Sequence, residues 1–143
     1  MKIEADQFDA ISYIFETANG NNLGNYETRI IDTSKVKGVS PVILVDAIIE
    51  SFKEANPDDI SYRTSAYWAL SKRFDKKLIP FFQKQLELEL TIEGIPAVFQ
   101  LLIALDNLTE PVFGKDRNGS YAGMDIELNM RDATNYLKQC RAP

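Results

Sequence analysis

The sequence predicts an all-helical protein of five to six helices, built as stacked helical hairpins in a single domain over residues 1–143. Three observations predict it. Apolar residues recur three and four positions apart along most of the chain, the spacing of one face of a helix. Proline opens an apolar stretch at Pro41, Pro80 and Pro96, where the first turn of a helix tolerates a missing N–H. A small-residue pattern, Ala66, Ala69-Leu70, returns as Leu101, Ala104-Leu105 thirty-five residues later and as Ala133, Tyr136-Leu137 after a further thirty-two. An irregular helical bundle meets the same spacing and is the alternative arrangement.

The first helix is expected near residues 5–17, with Phe8, Ile11 and Phe15 inward and Asp9 and Glu16 on the other side. It stops at Asn19-Gly20-Asn21-Asn22-Leu23-Gly24, a stretch suited to left-handed turn positions. Residues 25–39 show no clear period, and Thr28–Ile31 fits a short extended piece before Gly38. Ser40-Pro41 is a strong helix start, a hydroxyl cap followed by proline. In that helix Val42, Val45, Ile49 and Phe52 form the expected buried stripe, while Asp46, Glu50 and Glu54 line up on another face. Asn56-Pro57 is expected to end it, since proline disfavours helical geometry in the preceding residue.

Asp58 or Asp59 then caps a helix near 59–74, whose inner face holds Tyr62 or Arg63, Ala66, Ala69 or Leu70, and Phe74. The next, near 77–90, stacks Leu78, Phe82, Leu86 and Leu90 and turns Lys84, Glu87 and Glu89 outward. Gly94 and Pro96 open a helix near 95–107 that is apolar on nearly every side, so neighbours should bury it from both flanks. Gln100 reads there as a satisfied core amide. Thr109–Gly123 is irregular, and a last helix runs from about Asp125 to Cys140.

Residues 63–82 carry a more specific pattern: Arg63-x-x-Ala66-x-x-Ala69-Leu70, then Asp75, then Ile79-Pro80-x-Phe82. One helix with a small-residue packing face, a tight turn and a proline-started second helix resemble the short HEAT-like repeat. The resemblance covers residues 40–107. It extends to 125–140 through Asn129-Met130-Arg131-Asp132-Ala133, shifted by one position at the arginine. Residues 1–39 lie outside it. A period in the low thirties is shorter than the roughly 40–47 residues of long HEAT and armadillo units. It is nearer the tetratricopeptide length, but that family's Trp, Gly and Tyr spacing is absent. The resemblance implies a short α-hairpin stack, an α-solenoid with a repeat-like core at about 40–140, that presents a binding surface and brings no chemistry of its own.

Composition narrows the function. The chain has no histidine, which removes the commonest general base and transition-metal ligand, and one cysteine, Cys140. A zinc site is therefore not expected, nor is any cofactor, and no catalytic residue stands out. Asp116, Asn118, Ser120 and Glu127 fall at calcium-loop positions, yet Tyr121 stands where that loop needs glycine. No apolar run is long enough to cross a bilayer, and the acidic start Met1-Lys2-Ile3-Glu4-Ala5-Asp6 resembles no export signal. With a lone thiol, these features predict a cytoplasmic protein without a membrane partner.

Charge is uneven. Residues 1–60 are net −6, residues 61–91 net +3 and the rest −2, giving −5 overall. Nucleic-acid binders are normally basic on one face, so no nucleic-acid partner is expected. The cluster Lys72, Arg73, Lys76, Lys77 reads as cations favoured by a helix C-terminus. The acidic line is different, because like charges one turn apart cost a few tenths of a kcal/mol per pair. An acidic face steers a basic partner. A small, acidic, helical protein without catalytic equipment is similar in type to bacterial toxin-immunity proteins, some of which are HEAT-like. That similarity implies a protein partner, a toxin domain with a basic surface. The candidate contact residues are Asp46, Glu50, Glu54, Asp58 and Asp59, with Asp116, Arg117 and Tyr121 of the long loop as a second patch. A scaffold protein, or a HEAT-like lyase or nucleic-acid module, are the other readings.

Overall fold

The computed structural model describes residues 1–54 and 59–142, Glu54 by its backbone alone, and every regular element among them is helical. Seven α-helices appear: α1 Phe8–Ala18, α2 Asn25–Asp32, α3 Pro41–Glu54, α4 Ile60–Ser71, α5 Ile79–Thr91, α6 Ile95–Asn107 and α7 Ile126–Arg141. Short 3-10 turns stand at Ala5–Gln7, Lys76–Leu78 and Lys115–Arg117. The expected count of five to six is exceeded by α2, where an extended piece was the reading. Glu27, Ile30 and Ile31 are its half-buried positions, continued by Leu23 before it and Ser34 after it, a helical and not an alternating pattern. The chain divides into two compact units, Met1–Arg73 and Phe74–Pro143.

In the first unit α1 packs against α2, α3 and α4, and α3 also meets α4. Phe8, Ile11 and Phe15 of α1 are fully covered, as predicted, together with Leu44 and Ile48 of α3 and Ala66, Tyr67, Ala69 and Leu70 of α4. Two polar ties close this core. The Tyr62 hydroxyl donates to the Ile3 carbonyl at 2.8 Å. The Asn19 side-chain amide donates to the Lys72 carbonyl at 2.8 Å, so the end of α1 satisfies the end of α4. Lys72 is the C-cap of α4 and its ammonium lies 5.7 Å from the Trp68 ring, which accounts for part of the basic cluster.

Two expectations need correction here. The buried stripe of α3 runs through Leu44 and Ile48, leaving Val42 64% and Ile43 52% exposed. Because Val42-Ile43-Leu44-Val45 is apolar without a break, period alone does not select the inner face; the neighbouring helices do. Helix α4 ends at Ser71, and Phe74 takes a left-handed conformation (φ 52°) with half its surface exposed, so it is not an inner-face residue. The Asn56-Pro57 stop lies outside the described residues.

In the second unit α5 and α6 form a hairpin, and α7 packs against both. Helix α6 is therefore covered by two partners, as its continuous apolar character requires, with Ala97, Val98, Leu101, Leu102, Ala104 and Leu105 buried. Gln100 is half-buried, with no hydrogen bond from its side chain among the described residues, so it is not a satisfied core amide. Glu89 is not turned outward: it is buried in the stripe Phe82, Gln85, Leu86 of α5, with Leu78 just before that helix, where a hydrophobic count places no acid.

Helices α1, α5 and α6 end alike. After α1, Asn21 N–H reaches the Glu16 carbonyl at 3.0 Å and Gly20 N–H the Thr17 carbonyl at 3.0 Å, with Gly20 left-handed at φ 92°. The same paired bonds follow α5, from Gly94 to Glu89 at 2.8 Å and Glu93 to Leu90 at 3.3 Å. They follow α6 as well, from Glu110 to Leu105 at 3.1 Å and Thr109 to Asp106 at 2.9 Å. This is the Schellman closure, which favours glycine at its left-handed position. Glu93 (φ 57°) and Thr109 (φ 65°) occupy that position instead, and for a β-branched residue the conformation is costly.

Two predictions follow from the packing and these ends. Leu102→Ala, at a site with no exposure, lowers stability by about 2–5 kcal/mol in chemical denaturation. Thr109→Gly raises it by about 1 kcal/mol, read as a higher denaturation midpoint at unchanged slope.

Candidate interaction surfaces

Helix α3 forms because Ser40 caps it and Pro41 starts it; the Ser40 Oγ accepts the Ile43 N–H at 3.3 Å. With Leu44 and Ile48 turned inward, its outer face carries Val42, Ile43, Asp46, Glu50 and Lys53. Asp46 and Glu50 stand one turn apart and exposed, as predicted. Glu50 pairs with Lys53 at 3.1 Å across one turn, an exposed contact of small energetic weight, whereas Asp46 has no ion pair among the described residues. Sequence reasoning missed Val42 and Ile43, which put two apolar side chains on the first turn of the same face. Asp59 is exposed but belongs to a different element: its Oδ1 accepts the Tyr62 N–H at 3.0 Å and caps α4, a role worth about 1 kcal/mol. The Glu54 side chain and Asp58 lie outside the described residues.

The second patch is corrected more deeply. Arg117 is not a surface contact; its side chain is 1% exposed. Its Nη1 donates to Asp132 Oδ2 at 2.9 Å, and its guanidinium lies 5.2 Å from the Phe113 ring and 5.7 Å from the Tyr121 ring. Those rings stack at 3.8 Å, so Tyr121 is half-buried within the loop's own packing. Asp116 is exposed, yet both its carboxylate oxygens are taken by Arg131, at 2.8 Å each. Arg131 also donates from Nε and Nη2 to Asp132 Oδ1, at 3.1 and 2.8 Å. Asp132 thus sits between two arginines, one from the loop and one beside it on α7.

Backbone geometry admits this arrangement at Gly114. A Cβ there would stand 2.6 Å from both Arg131 Nη2 and Asp116 Oδ1 and 3.1 Å from Asp132 Oδ1, so a side chain at this position would push Arg131 and Asp116 out of their present pairing. Asp125, the N-cap of α7, and Asn129 line up with Asp132 at the spacing of one face, seven and three residues before it. Asp125 Oδ2 lies 3.7 Å from Arg117 Nη2, beyond hydrogen-bond distance. Asn129 Nδ2 donates to the Ala122 carbonyl at 3.0 Å. A further tie holds the start of the loop. The buried Tyr136 hydroxyl donates to Glu110 Oε1 at 2.6 Å and accepts from Gln83 Nε2 at 2.8 Å. Burial pushes that phenol's pKa well up, and the bond to Glu110 adds to it.

Electrostatically the loop cluster is a lock. Burial would raise the Asp132 carboxyl, but hydrogen bonds from Arg131, the Gly114 backbone and Arg117 outweigh it and hold the group below the ordinary carboxylate range. The Arg131 hydrogen bond lowers Asp116 in the same way. The chemistry on offer is structural, an irregular segment made rigid, and not proton transfer. Comparison with protein-family models, curated proteins and solved structures gives no match to this chain.

Asp132 and Asp116 have lower pKa values folded than unfolded. Their contribution is fully present above the unfolded carboxylate value, about 3.9, and is lost as pH falls through the lower folded values. Thermal denaturation should therefore show stability falling steeply below about pH 4, and Asp132→Asn should flatten that acid limb. Asp132→Ala, which leaves Arg117 buried without its partner, costs about 3–5 kcal/mol at neutral pH.

Proposed function

We propose that this chain is a cytoplasmic immunity protein, of the kind that protects bacteria in contact-dependent growth inhibition, and that it neutralises a toxic effector by binding it directly. The observation that carries the reading is the outer face of α3, where exposed Asp46 and Glu50 adjoin exposed Val42 and Ile43. Carboxylates accelerate encounter with a basic partner, and the apolar pair gives the complex a desolvated centre. A nuclease is the fitting effector, since a surface made to hold phosphates is basic. The net charge of −5 supports the same choice. The helical framework supports it too, read as short HEAT-like hairpins, α3 with α4 and α5 with α6, that hold a face rigid. Interfaces of this kind bury about 800 Å² per partner.

The candidate contacts narrow to Asp46 and Glu50 with Val42 and Ile43. Asp59 has its capping role, and Arg117 leaves the proposal because it is buried. No catalytic residue, cofactor or metal enters the reading, and no helix among the described residues is long and apolar enough to cross a membrane.

The test is to recover the partner from cells that carry this gene and to assay growth rescue when the two are co-expressed. Asp46→Lys with Glu50→Lys should slow association about tenfold or more at low salt, with a smaller effect at high salt and an unchanged circular dichroism spectrum. Equal rescue and equal association by the reversed variant would overturn the assignment of this face. A recovered partner whose activity is unchanged by binding would favour a scaffold role.

A further inference from the structure

A cavity of about 250 Å³ opens between the start of α1 and the end of α2, inside the first unit, and none of its lining residues belongs to α3. Asp6, Gln7, Ala10, Ile30, Thr33, Ser34 and Lys35 line it. Its volume falls just below the roughly 300–1,000 Å³ of pockets for drug-sized molecules, so size alone selects something smaller.

The lining chemistry is divided. Asp6 and Lys35 are exposed at this cavity, opposite in charge, and neither has an ion pair among the described residues. Gln7 is 7% exposed. Its Oε1 accepts the Glu4 N–H at 3.3 Å, while its side-chain N–H₂ has no partner among the described residues. That amide nitrogen is not shut away from solvent, so it stays free to donate to a ligand acceptor in the cavity. The Ser34 hydroxyl donates to the Ile31 carbonyl at 2.7 Å and the Thr33 hydroxyl to the Arg29 carbonyl at 3.0 Å, which leaves both oxygens free to accept. Ala10 and Ile30 supply an apolar floor.

We infer that this cavity binds a small zwitterion of the α-amino-acid class with a short aliphatic side chain. Lys35 and the Gln7 amide take its carboxylate. Asp6, with the Ser34 and Thr33 hydroxyls, takes its ammonium, and Ala10 and Ile30 meet the side chain. Each part of such a ligand finds a complement, whereas a simple anion leaves Asp6 unused and a simple amine leaves Lys35 and Gln7 unused. The inference is independent of the immunity reading, and its test needs no protein partner.

The full-length protein is titrated with L-alanine, L-valine, propionate and isopropylamine to tens of millimolar, followed by amide chemical shifts and calorimetry. Saturable shifts at Ala10 and Ile30 are expected with an amino acid, and binding about tenfold weaker or more with propionate and isopropylamine, each lacking one charged group. Asp6→Asn and Lys35→Gln should each weaken amino-acid binding about tenfold without shifting the melting temperature by more than a degree or two, since both side chains are exposed. Absence of saturable shifts, equal binding by propionate or by the amine, or variants that bind as the parent does would overturn the inference.

Discussion

A carboxylate buried at Asp132 has to be neutralised, and the segment between α6 and α7 is arranged around that requirement. An isolated charge at that depth costs several kcal/mol, so the group persists only with donors on most sides. Arg117 arrives from the loop, Arg131 from the preceding position on α7, and the Gly114 backbone amide completes the set. Fixing Arg117 fixes the two aromatic rings beside it, Phe113 and Tyr121, and Arg131 in turn holds Asp116. An otherwise irregular run of about fifteen residues therefore has a defined course. Long unstructured loops within compact domains are uncommon, and this one is better described as a packed element organised by charge.

The helix ends of the second unit show a related economy. Glu93 and Thr109 occupy left-handed positions that glycine would fill at lower cost. The closing hydrogen bonds form anyway, because α5 and α6 must stop there for the hairpin and the following segment to begin where they do. Packing of Leu86, Leu101, Leu102 and Leu105 outweighs a local penalty of about 1–2 kcal/mol.

What the sequence made legible were features written within one turn of helix. Ser40-Pro41, Ile79-Pro80 and Gly94-Ile95-Pro96 placed the starts of α3, α5 and α6, and Phe8, Ile11 and Phe15 placed the inner face of α1. What escaped depended on distant neighbours. Helix α2 has no side-chain cap and few apolar residues, so its period was faint against two adjacent β-branched positions, Ile30 and Ile31. The inner face of α3 could not be chosen within a continuous apolar run. Arg117 is buried because of a partner in another element, Asp132, and Glu89 is buried as well, whereas exposure of a charge is the ordinary expectation. One signal did exist for the loop: Asp125, Asn129 and Asp132 form a polar stripe along α7, flanked by the apolar Ala133, Tyr136 and Leu137. A polar stripe beside a core face calls for a counter-charge, and Arg117 is the nearest loop arginine.

The Asp132 cluster also sets how this protein is free to diverge. Its members hold one another: losing Arg117, Arg131 or Gly114 alone leaves a charge stranded or a side chain in collision, so change there has to come in concert. Val42, Ile43, Asp46 and Glu50 on the outer face of α3 carry no such mutual obligation, since the helix is seated through Leu44 and Ile48. Descendants of this sequence can therefore inherit the framework as a block while rewriting that face one residue at a time. That face can change quickly on a framework that itself changes slowly.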